Sequence, residues 1–71
     1  MTSDRIAIDP AIMMGKPVIR GTRITVELIL RKLAEGASDT ELREDYPQLT
    51  TEDIGAAVAY GAASVAHLTC L

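Results

Sequence analysis

The sequence predicts a mainly α fold, a single domain of three helices behind a short N-terminal β-hairpin. Three observations carry this prediction. The chain has 71 residues, room for one core and no second domain. Its apolar pattern changes at Thr25 from isolated β-branched pairs to the i, i+3, i+4, i+7 spacing of a helix. Beyond Gly36 come two further cap-like sequences, each heading a new apolar run. Residues 1–24 therefore read as short strands and a basic loop, and 25–71 as a three-helix unit.

The first element is an edge strand at Ile6-Ala7-Ile8, whose spaced apolar pair is closed by Asp9-Pro10, a turn dipeptide whose proline cannot donate to a ladder. Val18-Ile19 is a second β-branched pair, bounded by Gly15-Lys16-Pro17 and Gly21, and its pairing with the first makes the hairpin. The first helix has Thr25 as N-cap and Gly36 as its stop, with Val26, Ile29, Leu30 and Leu33 on one face. Glu27 and Arg31 form an i,i+4 pair on its outer face, and Leu28 projects to that polar side, where it needs another surface to cover it. Ser38-Asp39-Thr40-Glu41 is a capping box that starts a second helix of about two turns. That helix ends at Tyr46, before Pro47, and Leu42 and Tyr46 are its apolar residues. Thr50 or Thr51 caps the third helix, where Glu52 and Asp53 suit the positive end of the dipole.

The third helix has its main apolar face at Ile54, Ala57, Val58, Gly61, Ala62 and Val65. Its opposite face, with Ala56, Ala59, Tyr60, Ala63 and Ala66, is also almost without charge. A helix apolar all round is a buried helix, and so small a domain cannot surround it, which predicts packing against another subunit or a partner protein. The alternative is alanine used for its helix propensity. Leu28, Gly55, Ala56, Ala59, Tyr60 and Ala63 are the candidate dimer or partner interface, and a homodimer is expected.

Composition supports that expectation. There is no Trp or Phe and there are only two Tyr, so the core must be aliphatic. Small domains often supplement such cores with disulfides, metal or a second subunit. The lone cysteine, Cys70, cannot form an internal disulfide, and with the only histidine, His67, it is too few ligands for zinc. No metal or cofactor is expected. No run of apolar residues is long enough to cross a membrane and no signal pattern opens the chain, so a soluble cytoplasmic protein is expected.

Asp9-Pro10-Ala11-Ile12-Met13-Met14-Gly15-Lys16-Pro17-Val18-Ile19-Arg20-Gly21-Thr22-Arg23-Ile24-Thr25-Val26, with Tyr46-Pro47-Gln48-Leu49-Thr50 and Glu52-Asp53-Ile54, resembles the domain-of-unknown-function family numbered 433. The resemblance covers nearly the entire chain. It implies a three-helix homeodomain-like or winged helix-turn-helix bundle. It also implies an antitoxin of a type II toxin–antitoxin pair, encoded beside a PIN-like ribonuclease toxin. The alternative is a small DNA-binding transcriptional regulator with a helix-turn-helix fold. Members commonly have two glycines before the lysine; Met14 replaces the first here, which argues against a turn needing positive φ at that position. Members also often carry a charged, frequently basic residue after the Asp-Ile pair, where this chain has Gly55.

Charge bears on the choice between those functions. The net charge is −3, yet residues 1–35 carry six basic and four acidic side chains against one and six in residues 36–71. A helix-turn-helix reader presents the start of its second motif helix to the major groove. Here that start offers Thr51, Glu52, Asp53, Gly55 and Ala56, acids that repel phosphates and small residues without reach. Lys16, Arg20, Thr22 and Arg23, in an acid-free stretch from Pro10 to Ile24, are the candidate nucleic-acid or partner-binding residues. Against that stands pairing of Arg20 and Arg23 with carboxylates of the acidic half. Toward a metal-dependent nuclease, Arg20 or Arg23 would pair with the metal-binding carboxylates. Gly15-Lys16 lacks the upstream glycine and following hydroxyl of a phosphate loop, and Glu52 and Asp53 diverge on a helix, so no catalytic residue and no enzyme mechanism can be assembled.

Overall fold

The computed structural model describes residues 4–66, so His67 and Cys70 lie outside the described residues. Strand β1 (Ile6–Ala7) pairs antiparallel with β2 (Val18–Ile19), Ile6 opposite Ile19 and Ala7 opposite Val18. On the other side of β2 the chain folds straight back. Thr25 bridges Val18, and the Ile19 N–H donates to the Ile24 carbonyl at 2.9 Å. Gly21, at φ +83°, lies in this reversal. β2 is thus flanked on both edges, and Val18 and Ile19, whose side chains point to opposite faces, are both buried.

Helix α1 (Val26–Ala34) is capped by Thr25, whose Oγ1 accepts the Leu28 N–H at 3.0 Å. It ends in a Schellman motif: Gly36 N–H donates to Leu33 and Ala37 N–H to Lys32, each at 3.0 Å, with Gly36 at φ +102°. Helix α2 (Asp39–Asp45) starts in the expected capping box, Ser38 and Glu41 exchanging bonds at 3.1 and 2.8 Å. Helix α3 (Thr51–Ala66) has a box of its own, with aspartate in the usual glutamate place. Thr50 Oγ1 accepts the Asp53 N–H and the Asp53 carboxylate accepts the Thr50 N–H, each at 3.1 Å. Each cap satisfies amides that the helix itself leaves without partners.

The core is aliphatic: Ile6, Ile19 and Ile24 from the hairpin region, Val26 and Ile29 from α1, Leu42 and Leu49 around α2, and Ile54 and Ala57 from α3. Three helices and a short two-stranded antiparallel hairpin meet there, as the sequence predicts. At the crossing of α1 and α3, a β-carbon on Gly61 would lie 2.8 Å from Leu30 Cδ1, so glycine sets how closely these helices approach.

Two orientations differ from expectation. Helix α3 is rotated: Ile54 and Ala57 point inward with Asp53, and Ala56 and Tyr60 pack against the core, whereas Val58, Ala62 and Val65 are exposed. A helix this rich in alanine carries almost no directional apolar signal, so Ile54 and Ala57 reaching the core, together with the buried Asp53 and the Gly61–Leu30 contact, orient it. Leu28 is half-buried: it packs against the core cluster, and the rest of its side chain stays at the surface.

The turn before the lysine also departs from expectation. Met13, Met14 and Gly15 form a 3-10 turn with φ of +50°, +58° and +84°. The left-handed conformation therefore falls on two residues that carry side chains. Local hydrogen bonds hold it, Gly15 N–H to Ile12 and Lys16 N–H to Met13, each at 3.1 Å.

Candidate functional site

The basic segment wraps the hairpin, and most of its polar groups are engaged inside the fold. Among the described residues Arg20 meets no carboxylate. Its Nε donates to the Asp4 carbonyl at 2.6 Å and its Nη2 to the Ile6 carbonyl at 3.2 Å, so the guanidinium satisfies backbone oxygens along edge strand β1. Thr22 is likewise local: its Oγ1 donates to the Ile19 carbonyl at 2.8 Å and accepts the Ile24 N–H at 3.0 Å, closing the reversal after β2. Lys16 Nζ pairs with Glu27 at 3.0 Å, an acid of the same half of the chain, and Glu27 is bound again by Arg31 at 2.7 Å. The hydrogen bond from Lys16, then the charges of Lys16 and Arg31, hold the Glu27 carboxyl below its ordinary value of 4.5. Arg23 is exposed and has neither a hydrogen-bond nor an ion-pair partner among the described residues.

Lys16 and Arg23 come together with Arg31, Glu27, Met13, Thr25 and Leu28 around a cleft of about 300 Å³ between the 3-10 turn and α1. Arg20 and Thr22 do not line it. The other candidate surface is on α3. Gly55, Ala59 and Ala63 are exposed as expected and are joined by Val58, Ala62, Val65 and Ala66, a face without charge. Beside it a shallow groove of about 450 Å³ runs between α1 and α3, floored by Leu30, Tyr60 and Gly61. Of the residues assigned to the interface from sequence, Leu28, Ala56 and Tyr60 are half-buried against the core, with Leu28 still lining the cleft and Tyr60 the groove.

One long-range contact is not foreseen from the sequence. Arg5 Nη1 donates to Asp53 Oδ1 at 3.0 Å, tying the start of β1 to the start of α3. The available signal was Thr50-x-x-Asp53, a box pattern that places the aspartate at the helix entrance. Among the described residues no His, Cys, Asp and Glu side chains group into a metal-holding cluster, and no helix is long and apolar enough to cross a membrane.

This arrangement is matched elsewhere. The family described as "Protein of unknown function (DUF433)" matches residues 6–61, from β1 through most of α3. The chain belongs to the DUF433 family. It is similar to the crystal structure of a DUF433 member protein from Anabaena variabilis ATCC 29413, with 41% identity and a TM-score of 0.78 over 82% of this chain. The chain spans 57% of the length of that protein. No curated protein matches it. In this DUF433 chain the Gly15-to-Thr25 run is mostly structural: a left-handed turn, a central strand, a carbonyl clamp at Arg20 and the cap of α1. Arg23 is the cation of that run which the described fold leaves available.

Proposed function

We propose that this protein is the antitoxin of a type II toxin–antitoxin pair, a cytoplasmic binding protein that neutralises a PIN-like ribonuclease. The uncharged solvent face of α3 carries the reading. Val58 and Val65, 45% and 51% exposed, stand among exposed glycine and alanine, a surface better suited to a partner than to water. Family resemblance supplies the class of partner. The chain acts by binding, needs no cofactor, and uses the same face to form a homodimer when the toxin is absent.

The reading as a helix-turn-helix DNA regulator draws on the order α2, turn, α3. Against it, exposed Glu52 faces outward at the start of α3, and Arg20 and Lys16 are already engaged. Co-expression with the product of the neighbouring gene is the test. Relief of that product's toxicity, weakened by Ala62→Glu together with a fall from dimeric to monomeric mass in light scattering, is the expected result. A neighbour that is not toxic, or is not relieved, removes the antitoxin reading and leaves the DNA regulator as the better one.

A further inference from the structure

The cleft beside α1 has a chemistry that the α3 face lacks. We propose that it binds an acidic segment of the partner protein, a carboxylate side chain next to a branched apolar one. The inference rests on the reading of this chain as a partner-binding protein and names what one of its surfaces takes.

Charge makes the first argument. Lys16, Arg23 and Arg31 surround the cleft with Glu27 as its one acid. Glu27 shows what these cations accept, since its carboxylate is held by Lys16 at 3.0 Å and by Arg31 at 2.7 Å. Arg23 stands at the same cleft without such a partner among the described residues, and its planar guanidinium matches a carboxylate through parallel N–H bonds.

The lining makes the second. Half-buried Leu28 and Met13, which is 41% exposed, give the cleft an apolar part that a branched side chain would cover. Met13 is held there by the left-handed turn, at φ +50°, with its carbonyl bonded to the Lys16 N–H. A flexible thioether adapts to the shape of what docks against it. A nucleic-acid strand fits this surface poorly, because the cations form one cluster around a single cleft rather than a track that a backbone could follow.

The test is titration of the isotope-labelled full chain with a short synthetic peptide carrying Glu-Leu-Glu in an otherwise neutral sequence. The amide signals of Met13, Lys16 and Leu28 should move together. Arg23→Gln should weaken binding about tenfold, and the Gln-Leu-Gln peptide should bind about tenfold more weakly still to the unaltered chain than Glu-Leu-Glu does. Glu27→Gln should strengthen it, because Lys16 and Arg31 are then released to the peptide. Signals that do not move, a neutral peptide that binds equally well, or weaker binding by Glu27→Gln overturn the assignment. A single-stranded oligonucleotide that moves the same signals at lower concentration overturns it too, and gives the cleft to nucleic acid. Loss of peptide binding with toxin relief intact removes the cleft alone, whereas peptide binding without toxin relief removes the antitoxin reading alone.

Discussion

Asp53 receives the Arg5 guanidinium on one carboxylate oxygen, at 3.0 Å, while the other oxygen accepts the Thr50 amide at 3.1 Å. One buried side chain therefore starts α3 and docks the β1 end of the hairpin against it. The cap should dominate energetically, because the Arg5 side chain is 46% exposed and water screens the pair. Asp53→Ala should lower unfolding stability by about 1–2 kcal/mol in urea, and Arg5→Ala by less than about 1 kcal/mol. Equal losses would show that the ion pair, and not the cap, is the stronger element.

The two glycines of α3 should respond differently to alanine. At Gly55 nothing lies within 4 Å of an added β-carbon, so Gly55→Ala should gain about 0.5–1 kcal/mol from helix propensity. At Gly61 that carbon would stand 2.8 Å from Leu30 Cδ1, and moving Leu30 should cancel the gain. Thermal melts of the two variants provide the comparison. A matching rise for Gly61→Ala would mean that Leu30 yields without cost.

Met14 is 93% exposed at φ +58°, so its side chain adds strain and little packing. Met14→Gly should stabilise the fold by roughly 0.5–1 kcal/mol, the left-handed cost offset in part by glycine's greater freedom when unfolded. Met14→Ala should bring no such gain. Denaturant midpoints at constant slope decide it.

Glu27 predicts part of the acid response. Its carboxyl is held below 4.5 in the folded chain by the hydrogen bond and charge of Lys16 and by the charge of Arg31. A depressed folded value stabilises fully above the unfolded one and is lost as pH falls through the folded one. Stability should therefore fall less steeply below about pH 4.5 in Glu27→Gln than in the unaltered chain, and the difference should shrink in high salt. Parallel acid profiles would show that Lys16 and Arg31 do not hold this carboxylate in solution.

Much of the fold is local and so was legible in the sequence. Thr25 before an apolar period, the Ser38–Glu41 box and Gly36 act within a few residues of themselves, and each is found where its pattern places it. The two short strands also paired, since the breakers around them leave little else, although β1 stops at Ala7 and leaves Ile8 exposed outside it. What tertiary structure alone decided depends on groups far apart in the chain. Which side of α3 faces inward is decided by Ile54 and Ala57 reaching the shared core, together with Asp53 meeting Arg5 and Gly61 meeting Leu30, because an alanine helix has no strong apolar side of its own. Arg20 and Arg23 look alike in sequence, three residues apart. Only the folded hairpin brings backbone carbonyls under Arg20 and leaves Arg23 at the cleft, because the carbonyls of Asp4 and Ile6 reach it through strand pairing and not through sequence proximity.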